Sequence, residues 1–434
     1  VSMPHSYDLN DAPLWDGRPY GGRYFVDACK AAFDRLYSES ADGGRVFCIA
    51  LHPYQIGQPH HIGHLREILD HICAQDGVWH ATGDDIAAHY LANHYDEHVR
   101  HGAEVAAQAA EIARARPAVP VRARASGPIA GGPVPAERVR GMDHPHYAWN
   151  PLPNRKPLRW PGQRGLAVVP LINLEMVEDP LPAGWPQIHS VGGGLIRDFP
   201  NISRVSTREY GHRVGIFRIV DALRKRGMRP TVAIDALTAE NYPYLVNYLR
   251  DAGSEFVAHG LSVSRPITSA MSLEQERNYI AETLERLQAC GIRPTGWFGP
   301  EYGESTRTPQ LLGEAGLDYV CDWANDEQPY AMTTPGDLTA LPLWADFDDQ
   351  TVLINRMCNL DMFEDHFMKA LTQLHRDGQT TARLLHYCVR PWVSGASLRI
   401  AMFERVLDHV MALGDVWTPT ASEVVEAWKA AQHD

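Results

Sequence analysis

The residues best able to do chemistry in this 434-residue chain sit where short apolar runs end. Asn173 and Glu175 follow the run at 166–173, and His259 with Gly260 closes the run at 255–259. Trp297, Glu301 and Glu304 lie in "TGWFGPEYGES" (295–305), and Asp322, Asp326 and Glu327 in "CDWANDEQPY" (321–330). Arg390 follows the run at 382–389, with His386 four residues earlier on the same face. Converging carboxylates, a histidine and an aromatic wall are the parts of a hydrolytic pocket. Singly, each has a plainer reading. A lone histidine at a strand end more often satisfies one hydrogen bond, Glu178 and Asp179 read as solvated, and Trp297 reads as filler of a barrel mouth. The shared placement is what makes them candidates.

The elements that must position them are strands at 166–173, 230–235, 255–259, 295–299, 319–323, 351–356, 382–389 and 415–417, mostly separated by amphipathic helical patterns. Such alternation implies an α/β fold with a parallel sheet, here an incomplete (β/α) barrel whose reactive groups project from the carboxyl ends of the strands. Pro170, inside the first strand, requires an edge or a bulge. Ser272 and Gln275 fit a capping box, and Gly291 a stop, for one of the helices.

Composition bounds the function. A net charge of −13 excludes a polyanion binder, so no nucleic-acid partner is expected. No membrane partner is expected either, since no 18-residue apolar run occurs. Seven cysteines without C-x-x-C spacing read as reduced thiols in a cytoplasmic protein. The expected partner is a small-molecule substrate.

One segment occurs twice. "VFCIALHPYQIGQPHHI" (46–62) aligns without a gap on "LLHYCVRPWVSGASLRI" (384–400), at a constant offset of 338 (390 − 52) that puts His52 on Arg390. The same offset lays 3–15 on 341–353 and 65–86 on 403–424. This reads as a partial internal repeat at 1–97, the last third of a fold that is complete at 144–434, with an Ala/Arg/Pro/Gly-rich linker at 98–143. A third of a barrel has open edges. Either another, related chain completes it in a homo- or hetero-oligomer, or it is the remnant of a longer tandem. The cluster His60, His61 and His64 invites a metal reading but lacks matching carboxylates or thiolates.

Residues 144–434 resemble the polysaccharide deacetylase (NodB-homology) superfamily, most closely its allantoinase-like and cyclic-imide-hydrolase-like branch. The resemblance is carried by "PLRWPG" (157–162), "LINLE" (171–175), "REYGHRVGIFRIVDAL" (208–223), "EFVAHG" (255–260), "RPTGWFGPEYGES" (293–305) and "YVCDWANDEQPY" (319–330). "DLNDAP" (8–13) and "LHPYQIGQPHHI" (51–62) mark the partial copy. The resemblance implies a divalent metal on one aspartate and two histidines beside an aspartate base. Here Glu175 stands at the base, Met176 at the metal aspartate and Val263 at the second histidine. A thioether and an isopropyl group do not hold such a cation, so no metal cofactor of the usual type is expected. The expected chemistry is then hydrolysis of an activated C–N bond in a cyclic amide, imide or ureide. Glu175, with a pKa raised by burial, acts as base, and His259 orients water or protonates the leaving nitrogen. Asn173, Trp297, Glu304, Asp322, Asp326 and Arg390 bind substrate, Arg390 as a clamp for a carboxylate. In related proteins a histidine at the Arg390 position sits near the reacting centre, so His52 marks the site of the partial copy. The alternative is a catalytically impaired subunit that pairs with or regulates an active homologue.

Overall fold

The computed structural model describes residues 9–11, 21–114, 146–185 and 201–433. Most of the expected linker lies outside the described residues. Its first part is helical, belonging to Tyr95–Arg114.

The first segment carries helices α1 (Gly21–Glu39), α2 (Ile62–Cys73), α3 (Gly83–Asn93) and α4 (Tyr95–Arg114). Phe25, Phe33, Ile56, Ile68 and Ile72 form a small core, closed from the other side by Ala396 and Leu398. Glu39 accepts two hydrogen bonds from Arg218, at 2.8 and 2.7 Å, and Arg35 pairs with Glu404, which fixes this segment against the larger body.

The larger body opens with β1 (Leu166–Leu174), followed by α5 (Ile202–Tyr210), a π-turn and α6 (Ile216–Arg224). Then come β2 (Thr231–Ile234), α7 (Ala236–Asn241), α8 (Pro243–Asp251), β3 (Glu255–Ala258), α9 (Leu273–Ala289), β4 (Gly296–Trp297), α10 (Thr308–Glu314) and β5 (Tyr319–Val320). It closes with β6 (Tyr330–Ala331), β7 (Thr339–Ala340), α11 (Leu360–Asp377), β8 (Arg383–Val389), α12 (Ile400–Ala412), β9 (Val416–Trp417) and α13 (Ala421–His433). The sheet order is β6-β7-β5-β4-β3-β2-β1-β8, with β9 also on β1, and every pairing is parallel except β6 with β7. This is the incomplete barrel that the alternation implies. The capping box of Ser272 and Gln275 starts α9, and Gly291, at φ +74°, follows its end.

Two expectations fail. Residues 351–356 are not a strand: 350–355 form a π-helical segment, because the Asp348 carboxylate accepts the Thr351 N–H at 2.7 Å and starts a helical turn despite the β-branched side chains. Pro170 is not on an edge. It lies within β1, which pairs with β8 along one side; on the other side β9 pairs at 166–167 and β2 only from 171. The proline occupies the break between those two partners.

Alternation along the strands decides what faces the barrel interior. Ala167, Val169, Leu171, Val257, Leu384 and Cys388 share the inner core, whereas Val168, Ile172, Ala258, Leu385 and Tyr387 pack beneath the helices. Continuing that period places Asn173, Glu175, His259 and Arg390 at the inner mouth.

Several elements and contacts stand at the 338-residue offset. Helices α1, α2 and α3 fall on α11, α12 and α13. The isolated bridge Asn10↔Ala50 falls on Asp348↔Cys388. The His52 N–H donates to Asp11 Oδ2 at 2.8 Å, as the Arg390 N–H donates to Asp349 Oδ2 at 2.9 Å. What differs is cover: Leu69 is 46% exposed, while Leu407 at the same offset is 1% exposed. All seven cysteines are unpaired. Among the described residues, no helix is long and apolar enough to cross a membrane.

Candidate active site

Glu175, one residue past β1, is 3% exposed and held from two sides. Arg390 Nε donates to its Oε1 at 2.5 Å, and Arg208 Nη1, from α5, donates to its Oε2 at 2.7 Å. Arg208 also lies 4.4 Å over the Trp392 ring. Arg390 Nη1 donates to Asp348 Oδ2 at 2.7 Å, and the Tyr302 hydroxyl reaches the same oxygen at 2.9 Å. Asp349 accepts the backbone N–H of Arg390 and, at 2.6 Å, the Ser394 hydroxyl. Burial and Asp348 push the Asp349 carboxyl up to about 7.

This network corrects two roles. Burial alone would raise the Glu175 carboxyl, but Arg390 and Arg208 outweigh it and hold the group below the usual carboxylate range. Glu175 is therefore a fixed anion and a poor base. Arg390 spends its guanidinium on Glu175 and Asp348 and is not set up to clamp a substrate carboxylate.

His259 follows β3 and is fully buried. Its Nδ1 lies 2.6 Å from the Phe298 carbonyl oxygen, which only accepts, so Nδ1 carries the proton and Nε2 the lone pair. Nε2 has no hydrogen-bond partner among the described residues. Burial lowers the pKa of the ring against the opposing pull of Glu175, leaving the imidazole neutral near pH 7. The turn behind it is tight. Gly260 has φ +67°, and a Cβ there would stand 2.3 Å from Tyr279 Oη. Gly260→Ala is expected to lower the melting temperature by an amount equivalent to about 1–3 kcal/mol, measured by thermal unfolding.

The other candidates divide. Asn173 is 1% exposed, lies on the inner face, and neither its Oδ1 nor its Nδ2 has a partner among the described residues. Glu304 and Asp322 are hydrogen-bonded to each other beside the Phe298–Gly299 peptide. Trp297 faces outward, in the helix-side core with its ring 6.4 Å from Tyr279, because it is one position out of phase with Phe298. Asp326 lies at the opposite, amino end of the sheet. It pairs with Arg155 at 2.5 Å, and its neighbour Glu327 accepts through its carbonyl the N–H of Leu384 at the start of β8. A groove there is lined by Tyr147, Trp149, Arg155, Asp326, Trp344 and Trp428. Glu178, expected to be solvated, is paired with Arg265 and Ser262. His386 Nδ1 donates to the Pro342 carbonyl oxygen, 2.9 Å away, deeper in the barrel. His52 stays on the first segment, its Nδ1 2.7 Å from Asp11.

Sequence reading missed Arg208, Asp348, Asp349, Tyr302 and His212. Asp349 stands at the 338-residue offset from Asp11, an alignment that by itself gives neither carboxylate a role. Arg208 and His212 lie in "REYGHR" on a helix, where nothing in the residue pattern aims them at a strand end. Tyr302 is aimed by two successive left-handed residues, Glu301 at φ 54° and itself at φ 58°.

The metal that the family implies does not fit these residues. Met176 offers a thioether, Val263 is a buried isopropyl group, and both oxygens of Glu175 are engaged by arginines. His259 remains as a lone nitrogen donor.

Residues 204–320 match the polysaccharide deacetylase family model. The chain is 23% identical over 303 residues to a Schizosaccharomyces pombe protein whose name places it among polysaccharide deacetylases, covering 62% of this chain and 92% of that one. It is 31% identical over 150 residues to the peptidoglycan deacetylase of Helicobacter pylori, covering 34% and 48%. The crystal structure of Puue allantoinase superposes with a TM-score of 0.57 at 23% identity, over 64% of this chain and 95% of the other, and shares the fold. Residues 204–320 thus carry the match to the polysaccharide deacetylase family, and the half-barrel around them is the fold shared with Puue allantoinase.

Proposed function

We propose that the barrel hydrolyses an activated non-peptide C–N bond, of the cyclic amide, imide or ureide class, using His259 to move the proton and no metal held in the family's usual triad. The observation that carries this is the state of His259: a buried, neutral ring whose tautomer is fixed at Nδ1 and whose Nε2 lone pair is unengaged. Nε2 takes a proton from water as the oxygen attacks the carbonyl, then returns it to the departing nitrogen. The imidazolium formed in between is stabilised by the Glu175 carboxylate, which stays ionised throughout and is kept in place by Arg208 and Arg390.

Asn173 supports the cyclic class. A ring amide is necessarily cis, so its C=O and N–H lie side by side. The two unpartnered ends of the Asn173 carboxamide match that edge, Nδ2 donating to the carbonyl and Oδ1 accepting the ring N–H. An acetamido sugar carries a trans amide, whose two groups point apart. Asn173→Leu is expected to raise KM for a cyclic substrate by roughly 10-fold or more, as for a lost pair of neutral hydrogen bonds, measured by initial rates.

One observation favours a second reading, a catalytically impaired subunit: Arg390 occupies the position beside Glu175 and, together with Arg208, saturates its carboxylate. Turnover of a panel of cyclic imides, hydantoins, allantoin and N-acetyl sugars by the purified chain, with metal analysis of the same sample, separates the two. Hydrolysis of a cyclic substrate by metal-free protein supports the first. A folded sample inert to the whole panel supports the second, and loss of activity on chelation overturns the metal-independent mechanism.

A further inference from the structure

We infer that Asp322 is a positioning residue for His259, acting through the single peptide unit that joins Phe298 to Gly299. The two hydrogen bonds that define this arrangement use opposite ends of one amide plane. At one end the Gly299 N–H donates to both carboxylate oxygens of Asp322, at 2.8 and 3.0 Å. At the other, the Phe298 carbonyl accepts the Nδ1 proton of His259 at 2.6 Å. N–H and C=O are antiparallel in a trans peptide. A negative charge at the N–H end therefore draws the amide dipole into line and makes the carbonyl oxygen a stronger acceptor. The result is a carboxylate–peptide–imidazole chain, in which Asp322 holds the ring in its Nδ1–H tautomer and raises the basicity of Nε2 without touching it.

The surroundings fit that task. Glu304 is hydrogen-bonded to Asp322, and burial together with Asp322 keeps its own proton in place; burial also pushes the Asp322 carboxyl up to about 7, so above that pH Glu304 donates and the pair carries one charge. Gly299 permits the approach: a Cβ there would stand 2.6 Å from Gly303 O and 3.2 Å from Asp322 Oδ2. The charged groups facing His259 directly are Glu175 after β1, Arg390 after β8 and Asp348 before the π-helical segment, with Arg208 and His212 behind Glu175. Those facing the pair are Glu276 toward Glu304 and the Cys321 thiol toward Asp322.

The catalytic use of this chain rests on the proposed role of His259, but the chain itself is read without turnover. Nitrogen-15 NMR of histidine-labelled full-length protein reports the tautomer and titration of His259. In the wild type the Nδ1–H form is expected to dominate, and the Gly299 amide proton to resonate downfield and to shift as His259 titrates. Asp322→Asn keeps an acceptor for Gly299 but loses the charge. It should lower the pKa of His259 by roughly one unit, the size of one charge acting across a peptide, and populate the other tautomer. Glu304→Gln still donates to an ionised Asp322 and should leave the His259 signals near their wild-type positions. Where a substrate is turned over, the acid limb of the rate profile should move to lower pH in Asp322→Asn by the same amount. An unchanged His259 titration in folded Asp322→Asn overturns the inference. So does an equal change in Glu304→Gln, or a wild-type Gly299 amide that ignores the titration of His259. A wild type that turns over no substrate, yet shows the expected spectra, overturns the proposed function alone.

Discussion

Replacing His259 with asparagine is expected to lower kcat on a cyclic substrate by about 10²–10⁴-fold, the range that a positioned proton-transfer group contributes. Asparagine is the informative choice. Its Nδ2 can donate to the Phe298 carbonyl as the ring Nδ1 does, so the local hydrogen bond survives while the Nε2 lone pair disappears. The loss should fall on kcat rather than KM, because Nε2 moves the proton only as the bond breaks, whereas Asn173 holds the amide edge already in the bound substrate. The sign with pH follows from the lowered pKa of His259. The base form prevails at neutral pH, so wild-type activity should fall only as pH drops below the ordinary histidine range, and that limb should be missing in whatever activity the variant retains. A variant with wild-type kcat would remove His259 from the mechanism.

Replacing Arg390 with methionine is expected to destabilise the fold by about 3–5 kcal/mol, the cost of leaving buried charges without their partner. Glu175 and Asp348 are both fully buried, and Arg390 contacts each. In a body of this size that corresponds to a melting point lower by roughly 10 °C. The dependence on pH gives the test its specificity. In the wild type, burial is outweighed at both carboxylates by Arg390, which depresses their pKa values. Their contribution is thus present above the unfolded carboxylate range and lost as pH falls through the folded values. Without Arg390 the burial remains, so the carboxyls take up protons and the variant gains relative stability on acidification. Melting curves at pH 5 and pH 7.5 should show the gap between the two proteins narrowing at the lower pH. Arg390→Lys should recover part of the loss, since it restores the charge but not the two-pronged geometry. Equal melting points for wild type and Arg390→Met at both pH values would mean that Glu175 is held by Arg208 alone.

Much of the architecture is legible without coordinates, because a parallel sheet leaves a coarse signature: apolar runs alternating with helical periods. The runs at 166–173, 230–235, 255–259 and 382–389 become β1, β2, β3 and β8. The run at 351–356 does not, since an Asp348 cap and the packing of the following helix override side-chain propensity. The β6–β7 ribbon, two residues a side, is too short to carry a period. Trp297 and Asp326 show the limit at the site. A strand-end position is visible in sequence, but a phase error of one residue turns a side chain to the other face, and a loop after the strand end can carry its residues back to the far end of the barrel.

What the sequence by itself determined is the set of groups available: a histidine after one strand, a glutamate after another, and a methionine and a valine where metal ligands would stand. Which of them act as acid, base or counter-ion was decided only by tertiary structure. Proton affinity depends on burial and on charges a few ångströms away, and those charges come from Arg208, Asp348 and Arg390, separated from Glu175 by 33, 173 and 215 residues. The same glutamate would be a base in an apolar pocket and is a fixed anion between two guanidinium groups.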